Sequence, residues 1–75
     1  MRTFNSHGDG QFTPEDLATL GEGVIFETGI RIWHPENVHI GSNVYIGHDA
    51  MLKGYHAGQL RIGNSTWIGQ GVFFH

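Results

Sequence analysis

Six of the 75 residues are histidine: His7, His34, His39, His48, His56 and His75. Imidazole titrates near neutral pH, so it can take a proton from a hydroxyl as a general base or bind a metal ion. The plain alternative for each is a surface histidine on a loop. Cysteine is absent, which excludes a disulfide framework and a thiolate nucleophile. Asp9, Glu15, Asp16, Glu22 and Glu27 show no spacing of a paired acid and base. Gly8-Asp9-Gly10 is too short for a phosphate loop, and no serine stands in a nucleophile-elbow context. What the histidines can do therefore depends on the elements that position them.

Those elements carry a fixed period. In the stretch from Ile40 to Leu52 an aliphatic residue returns every six positions, at Ile40, Ile46 and Leu52. The frame fits Leu20, Phe26 and Ile32 upstream, and Ile62, Ile68 and Phe74 downstream. A helix would space apolar residues by three and four, and a long strand would alternate them. Six residues suit a short strand followed by a tight turn. The fourth position of each hexad holds Gly23, Gly29, Asn43, Asp49, Ser65 or Gly71. Gly, Asn and Asp tolerate left-handed backbone cheaply, as a type II turn demands. The fifth position holds Val24, Ile30, Val44, Ala50, Thr66 or Val72, mostly small or β-branched, as the inside of a corner requires.

Three hexads make one three-sided coil. The step between triplets lengthens to eight and then ten residues, so both insertions fall at the same corner and the coils stay in register. Three inward columns are predicted: Leu20, Ile40 and Ile62; Phe26, Ile46 and Ile68; Ile32, Leu52 and Phe74. Each coil contacts only its neighbours and cannot bury its apolar side alone.

Ile40-Gly41-Ser42-Asn43-Val44, Ile46-Gly47-His48-Asp49-Ala50, Ile62-Gly63-Asn64-Ser65-Thr66 and Ile68-Gly69-Gln70-Gly71-Val72 share one pattern: aliphatic, Gly, two variable residues, then a small one. In this the chain resembles the hexapeptide-repeat acyltransferases, over residues 20–75. The resemblance implies an all-β fold, a left-handed parallel β-helix of about three coils, and a homotrimer. It implies an acyltransferase, specifically O-acetyl transfer from acetyl-CoA to a hydroxyl of a sugar or saccharide, with a histidine as general base near a loop at the subunit cleft. His56, on the lengthened corner Gly54-Tyr55-His56-Ala57-Gly58-Gln59, is the first candidate for that base. His34 and Glu36 are expected on the corner of the coil before it, and His75 is the second candidate. The family's acyl-CoA site is generally built by later coils, so no cofactor-binding residue is assigned. Two alternatives stand beside this reading. One is a non-catalytic trimerising module or fragment. The other rests on a resemblance to gamma-class carbonic anhydrases, whose zinc lies between subunits; His48 fits their first histidine, but Lys53 stands where the second is needed.

Residues 1–19 precede the repeat. Residues 1–11 show no period and read as a loop or arm, either disordered or docked. Thr13-Pro14-Glu15-Asp16 is a helix start, with Thr13 as N-cap, Pro14 in the first position and two carboxylates at the positive end of the dipole. Leu17 and Leu20 are expected on one face of this helix, Gly21 as its stop, and the whole as a lid over the first coil. Such an entry also resembles one saccharide-modifying branch of the family.

Outward positions flank each column. They are polar or bare on the first side (Thr19, His39, Arg61), apolar on the second (Ile25, Tyr45, Trp67) and mixed on the third (Arg31, Met51, Phe73; Trp33, Lys53, His75). Exposed apolar surface of this kind marks a partner site. Trp33, Tyr45, Met51 and Trp67 are accordingly expected at subunit contacts, with Tyr45 and Trp67, or Met51 and Trp33, buried there. A formal net charge of −3 argues against a nucleic-acid surface. No apolar run is long enough to span a membrane and no secretory pattern is present, so a cytoplasmic location is expected. The third coil stops one residue into its last hexad, which leads to the expectation that the natural chain continues past His75 or is completed by a partner.

Overall fold

The computed structural model describes residues 9–54 and 58–74, the side chain of Phe74 excepted. The described residues are all-β, with two single 3-10 turns at Pro14–Asp16 and Pro35–Asn37. The strands are β1 (Thr19–Leu20), β2 (Ile25–Phe26), β3 (Arg31–Trp33), β4 (Val38–Ile40), β5 (Tyr45–Ile46), β6 (Met51–Lys53), β7 (Leu60–Ile62), β8 (Trp67–Ile68) and β9 (Phe73–Phe74). They form three parallel sheets, ordered β1-β4-β7, β2-β5-β8 and β3-β6-β9. The chain thus visits the first, second and third sheets in turn and then returns to the first.

The turns between strands follow from the fourth hexad position. Asn43, Asp49 and Ser65 have φ of 58°, 61° and 60°, and Gly23, Gly29 and Gly71 have φ of 69°, 80° and 71°. All six sit in the left-handed region, where a side chain costs energy unless it is short and polar or absent. Each such residue bends the chain by one corner, and the regular placing of the bends keeps the strands in phase.

The register of the columns agrees with the hexad frame. Leu20 pairs with Ile40 and Ile40 with Ile62; Phe26 pairs with Ile46 and Ile46 with Ile68; Ile32 pairs with Leu52 and Leu52 with Phe74. Ile32, Ile40, Ile46 and Leu52 are fully buried, and Val44 and Ala50 fill the corners beside them. The insertion between the first two coils is taken up by the turn Pro35–Asn37, after His34 adopts φ 52°. That corner is therefore where the added residues leave the repeat, as their spacing implied. Side chains reinforce the stack: Glu22 N–H donates to Ser42 Oγ, and Ser42 N–H to Asn64 Oδ1, at 3.1 and 2.8 Å.

Two expectations fail at the start of the chain. The entry helix is a single 3-10 turn. Thr13 N–H donates to Asp16 Oδ2 at 2.8 Å, but Leu17 is already extended. Ala18 N–H then bonds across to the carbonyls of Pro35 and Val38. Starting an α-helix costs several fixed dihedrals for one bond, and pairing with the second coil supplies bonds at once. Leu17 and Leu20 consequently do not share a helix face, and Thr19, read as an outward residue of the first side, lies in β1 in register with His39. Leu17 enters the core at 8% exposure, while Leu20 remains 38% exposed. Leu20 has the correct register, but it lies in the outermost coil.

The lid over that coil comes from residues 9–12 instead. Ile32 N–H donates to Gly10 O at 2.7 Å, Arg31 donates to Asp9 O, and the Phe12 ring lies 5.5 Å from that of Phe26. Gly10 has φ 79°, and a Cβ there would stand 2.5 Å from Arg31 Cβ. Only glycine lets this segment lie so close to β3. No described helix is long and apolar enough to cross a membrane.

Candidate functional site

The described histidines are drawn into two ladders and one corner. At the turn between the second and third sheets, the twenty-residue coil offset puts Thr28 over His48. Thr28 Oγ1 lies 2.9 Å from His48 Nδ1, and His48 Nε2 lies 3.3 Å from Glu27 Oε2. Tyr45, one strand earlier, donates its hydroxyl to the same Glu27 oxygen at 3.0 Å. The Tyr45 ring in turn meets Trp67 edge-on, with centroids 5.3 Å apart. Glu27, Tyr45, His48 and Thr28 therefore form one connected polar group beside an exposed indole.

The charges in this group follow from its contacts. Glu27 accepts the Tyr45 hydroxyl proton as a hydrogen bond, which raises the Tyr45 pKa above its ordinary 10.0, with desolvation and the Glu27 negative charge acting in the same direction. The His48 and Glu27 side chains are 46% and 32% exposed, so any ion pair between them is screened and contributes about 1 kcal/mol or less. A neutral His48 ring with its proton on Nε2 would face the carboxylate with that proton and accept the Thr28 hydroxyl at Nδ1.

The first sheet repeats this logic. Thr19 Oγ1 lies 3.0 Å from His39 Nδ1, and His39 Nε2 is in a short contact with Gln59 Oε1. An amide oxygen only accepts, so Nε2 carries the proton here as well. Gln59 then reaches Asn37 at 3.4 Å. At the insertion corner His34 Nδ1 faces Glu36 Oε2, also at 3.4 Å.

The two histidines favoured as general base, His56 and His75, lie outside the described residues. His34 and Glu36 do sit together on the corner expected for them. The group around His48 was missed as a site by hexad reading, although the coil offset places Glu27-Thr28 directly beside Gly47-His48 and would have found it. Among the described residues no group of three or more His, Cys, Asp or Glu is gathered as a metal site. Both His48 ring nitrogens face partners within the chain.

Of the expected contact residues, Trp67 is 77% exposed; on the same two apolar sides, Ile25 and Phe73 are 52% and 49% exposed. Trp33, Tyr45 and Met51 are half-buried. Ile25, Tyr45 and Trp67 stack in register along the outer side of the second sheet. No protein-family model matches this chain, and no solved structure matches it significantly.

Proposed function

We propose that the chain is a left-handed parallel β-helix of the hexapeptide-repeat acyltransferase type and that it moves an acetyl group from acetyl-CoA to a hydroxyl of a sugar or saccharide. The observation that carries this reading is the coincidence of two periods. The hexad motif recurs in sequence, and the six corner residues Gly23, Gly29, Asn43, Asp49, Ser65 and Gly71 all turn through the left-handed region, while inward residues stack coil on coil. The acceptor class is an analogy from the motif resemblance.

In the proposed reaction the acceptor oxygen attacks the thioester carbonyl carbon. A C–O bond forms, the C–S bond breaks, and the hydroxyl proton passes through a histidine to the departing thiolate. His56 and His75 are the proposed bases. His39 and His48 are poorer choices, because each has both ring nitrogens committed within the chain. The same observation favours a second reading, in which the chain is a non-catalytic trimerising module.

The active assembly is proposed to be a homotrimer, with contacts drawn from Trp33, Tyr45, Met51 and Trp67. The test is release of free thiol from acetyl-CoA in the presence of a panel of mono- and oligosaccharides. Acceptor-dependent release that falls at least about 100-fold in His56→Ala or His75→Ala supports transfer and identifies the base. No release with any acceptor, from a folded trimer, favours the module.

A further inference from the structure

Two sides of the coil offer large apolar groups, and the proposed homotrimer cannot use both equally. We infer that each copy seats the turn between its second and third sheets, which carries Glu27 and Asp49, on the outer side of the neighbour's third sheet, which carries Arg31, Met51, Lys53 and Phe73. This rests on the homotrimer reading above and says which surfaces meet.

Symmetry gives the first step. The three sides of such a coil face directions about 120° apart, and a threefold axis along the coil rotates each copy by about 120°. Pressing two different sides together flat requires a rotation of about 60° instead, which closes only at six copies. A threefold ring therefore sets a corner of one copy against one of the two sides adjoining that corner on the next. The first side is polar, so the corner between the two apolar sides is the one enclosed.

Charge gives the second step. Among the described residues the cations are Arg31, Lys53 and Arg61, and the first two lie on the third sheet, at the register positions of Met51 and Trp33. The second side has Ile25, Tyr45 and Trp67 and no cation. The corner itself holds two carboxylates, with Asp49 exposed and Glu27 about one-third exposed. Apolar burial is available on either side: Phe73, Met51 and Trp33 on one, Ile25, Tyr45 and Trp67 on the other. Opposite charge then selects the third side, since complementary potentials decide register and partner more than they decide affinity. Of the contact residues proposed above, this arrangement therefore uses Met51 and Trp33, which it shields, and leaves Trp67 outside the contact.

The test is sedimentation of the full chain with charge variants, read together with quenching of single-tryptophan variants. The wild type is expected as a trimer. Lys53→Glu weakens assembly at least about tenfold, and adding Glu27→Lys restores most of the loss. Because Glu27→Lys also removes the acceptor for Tyr45, Glu27→Gln with Asp49→Asn serves as the milder variant, and it lowers the salt sensitivity of assembly. In Trp67→Phe the remaining Trp33 loses acrylamide access on assembly, whereas in Trp33→Phe the remaining Trp67 keeps it. A trimer indifferent to Lys53→Glu, or one that shields Trp67, overturns this contact and leaves the trimer standing. A chain that stays monomeric overturns both.

Discussion

Thr28 stands one coil above His48, with its hydroxyl 2.9 Å from Nδ1, and Thr19 stands above His39 in the same way at 3.0 Å. Twenty residues separate each pair, which is the length of the first full coil. Between these two coils a residue on a parallel ladder thus finds its strand partner twenty residues on, and between the next two coils twenty-two residues on. In both pairs the far ring nitrogen faces an oxygen acceptor, Glu27 for His48 and Gln59 for His39. Oxygen acceptors in those places favour the same neutral tautomer, protonated on Nε2, on two sides of the molecule.

That tautomer is directly measurable. At a pH where both rings are neutral, long-range nitrogen–proton correlation spectra are expected to show Nε2 protonated and Nδ1 unprotonated in His39 and His48. Thr28→Val removes the hydroxyl donor to His48 Nδ1 and should alter the His48 pattern alone. An Nδ1-protonated neutral form at either residue would contradict the assigned network.

Tyr45 carries a pH signature. Its phenol is raised above the ordinary 10.0, first by the hydrogen bond to Glu27. A folded-state pKa above the unfolded value contributes stability that is whole below the unfolded pKa and is lost as pH rises through the folded one. The expected loss is therefore on the alkaline limb. In a Tyr55→Phe background, ultraviolet titration should find one phenol above its usual range, and Glu27→Gln should bring it back toward 10.0.

Glycine after the column residue is a packing requirement between coils. A Cβ on Gly41 would collide with Asn64 Oδ1 and lie 2.8 Å from Asn64 N, and one on Gly47 would lie 2.8 Å from Gln70 N. For Gly69 the nearest atom is Val72 Cγ2 at 3.7 Å. Gly47→Ala should cost about 2–3 kcal/mol by overpacking against backbone that cannot swing away. Gly69→Ala should change stability by about 0.5 kcal/mol or less. Thermal melts of the two variants compare them, and equal losses would refute the close-approach account.

Column position should outweigh residue type. Leu52 has 0% exposure and Leu20 has 38%, although both are the first residue of a hexad. Leu52→Ala should cost about 2–5 kcal/mol, as buried leucines do. Leu20→Ala should cost about 1 kcal/mol or less, because part of its surface is already wet. Chemical denaturation gives both values, and a Leu20 loss equal to that of Leu52 would mean that the first coil is covered more fully than its exposure indicates.

Asp49 tests the corner itself. At φ 61° a β-branched side chain is strained, so Asp49→Val should destabilise by about 1–2 kcal/mol, whereas Asp49→Gly should be close to neutral. Melting temperatures of the two variants distinguish backbone strain from a simple loss of charge, which both substitutions share.

The local rules were readable along the chain. Ile40, Ile46 and Leu52 announce a column because burial recurs with the period of the turn, and Asn43, Asp49 and Ser65 announce left-handed corners because few other side chains tolerate them. The insertion at residues 34–37 could be placed because phase is conserved on either side of it. These are properties of neighbours in sequence, and they gave the register of the three sheets and most of the inward residues, though not the burial of Val38 and Leu60 or the exposure of Leu20. Tertiary structure decided what residues far apart do to each other. It ended the entry helix at Asp16, since strand pairing with the second coil offered Ala18 bonds that a short helix could not. It laid Gly10 and Phe12 over the first coil, and it joined Glu27, Tyr45 and His48 into one group. Hydrogen bonds and packing between coils depend on which coil lies alongside, and that becomes known only once the chain has wound onto itself.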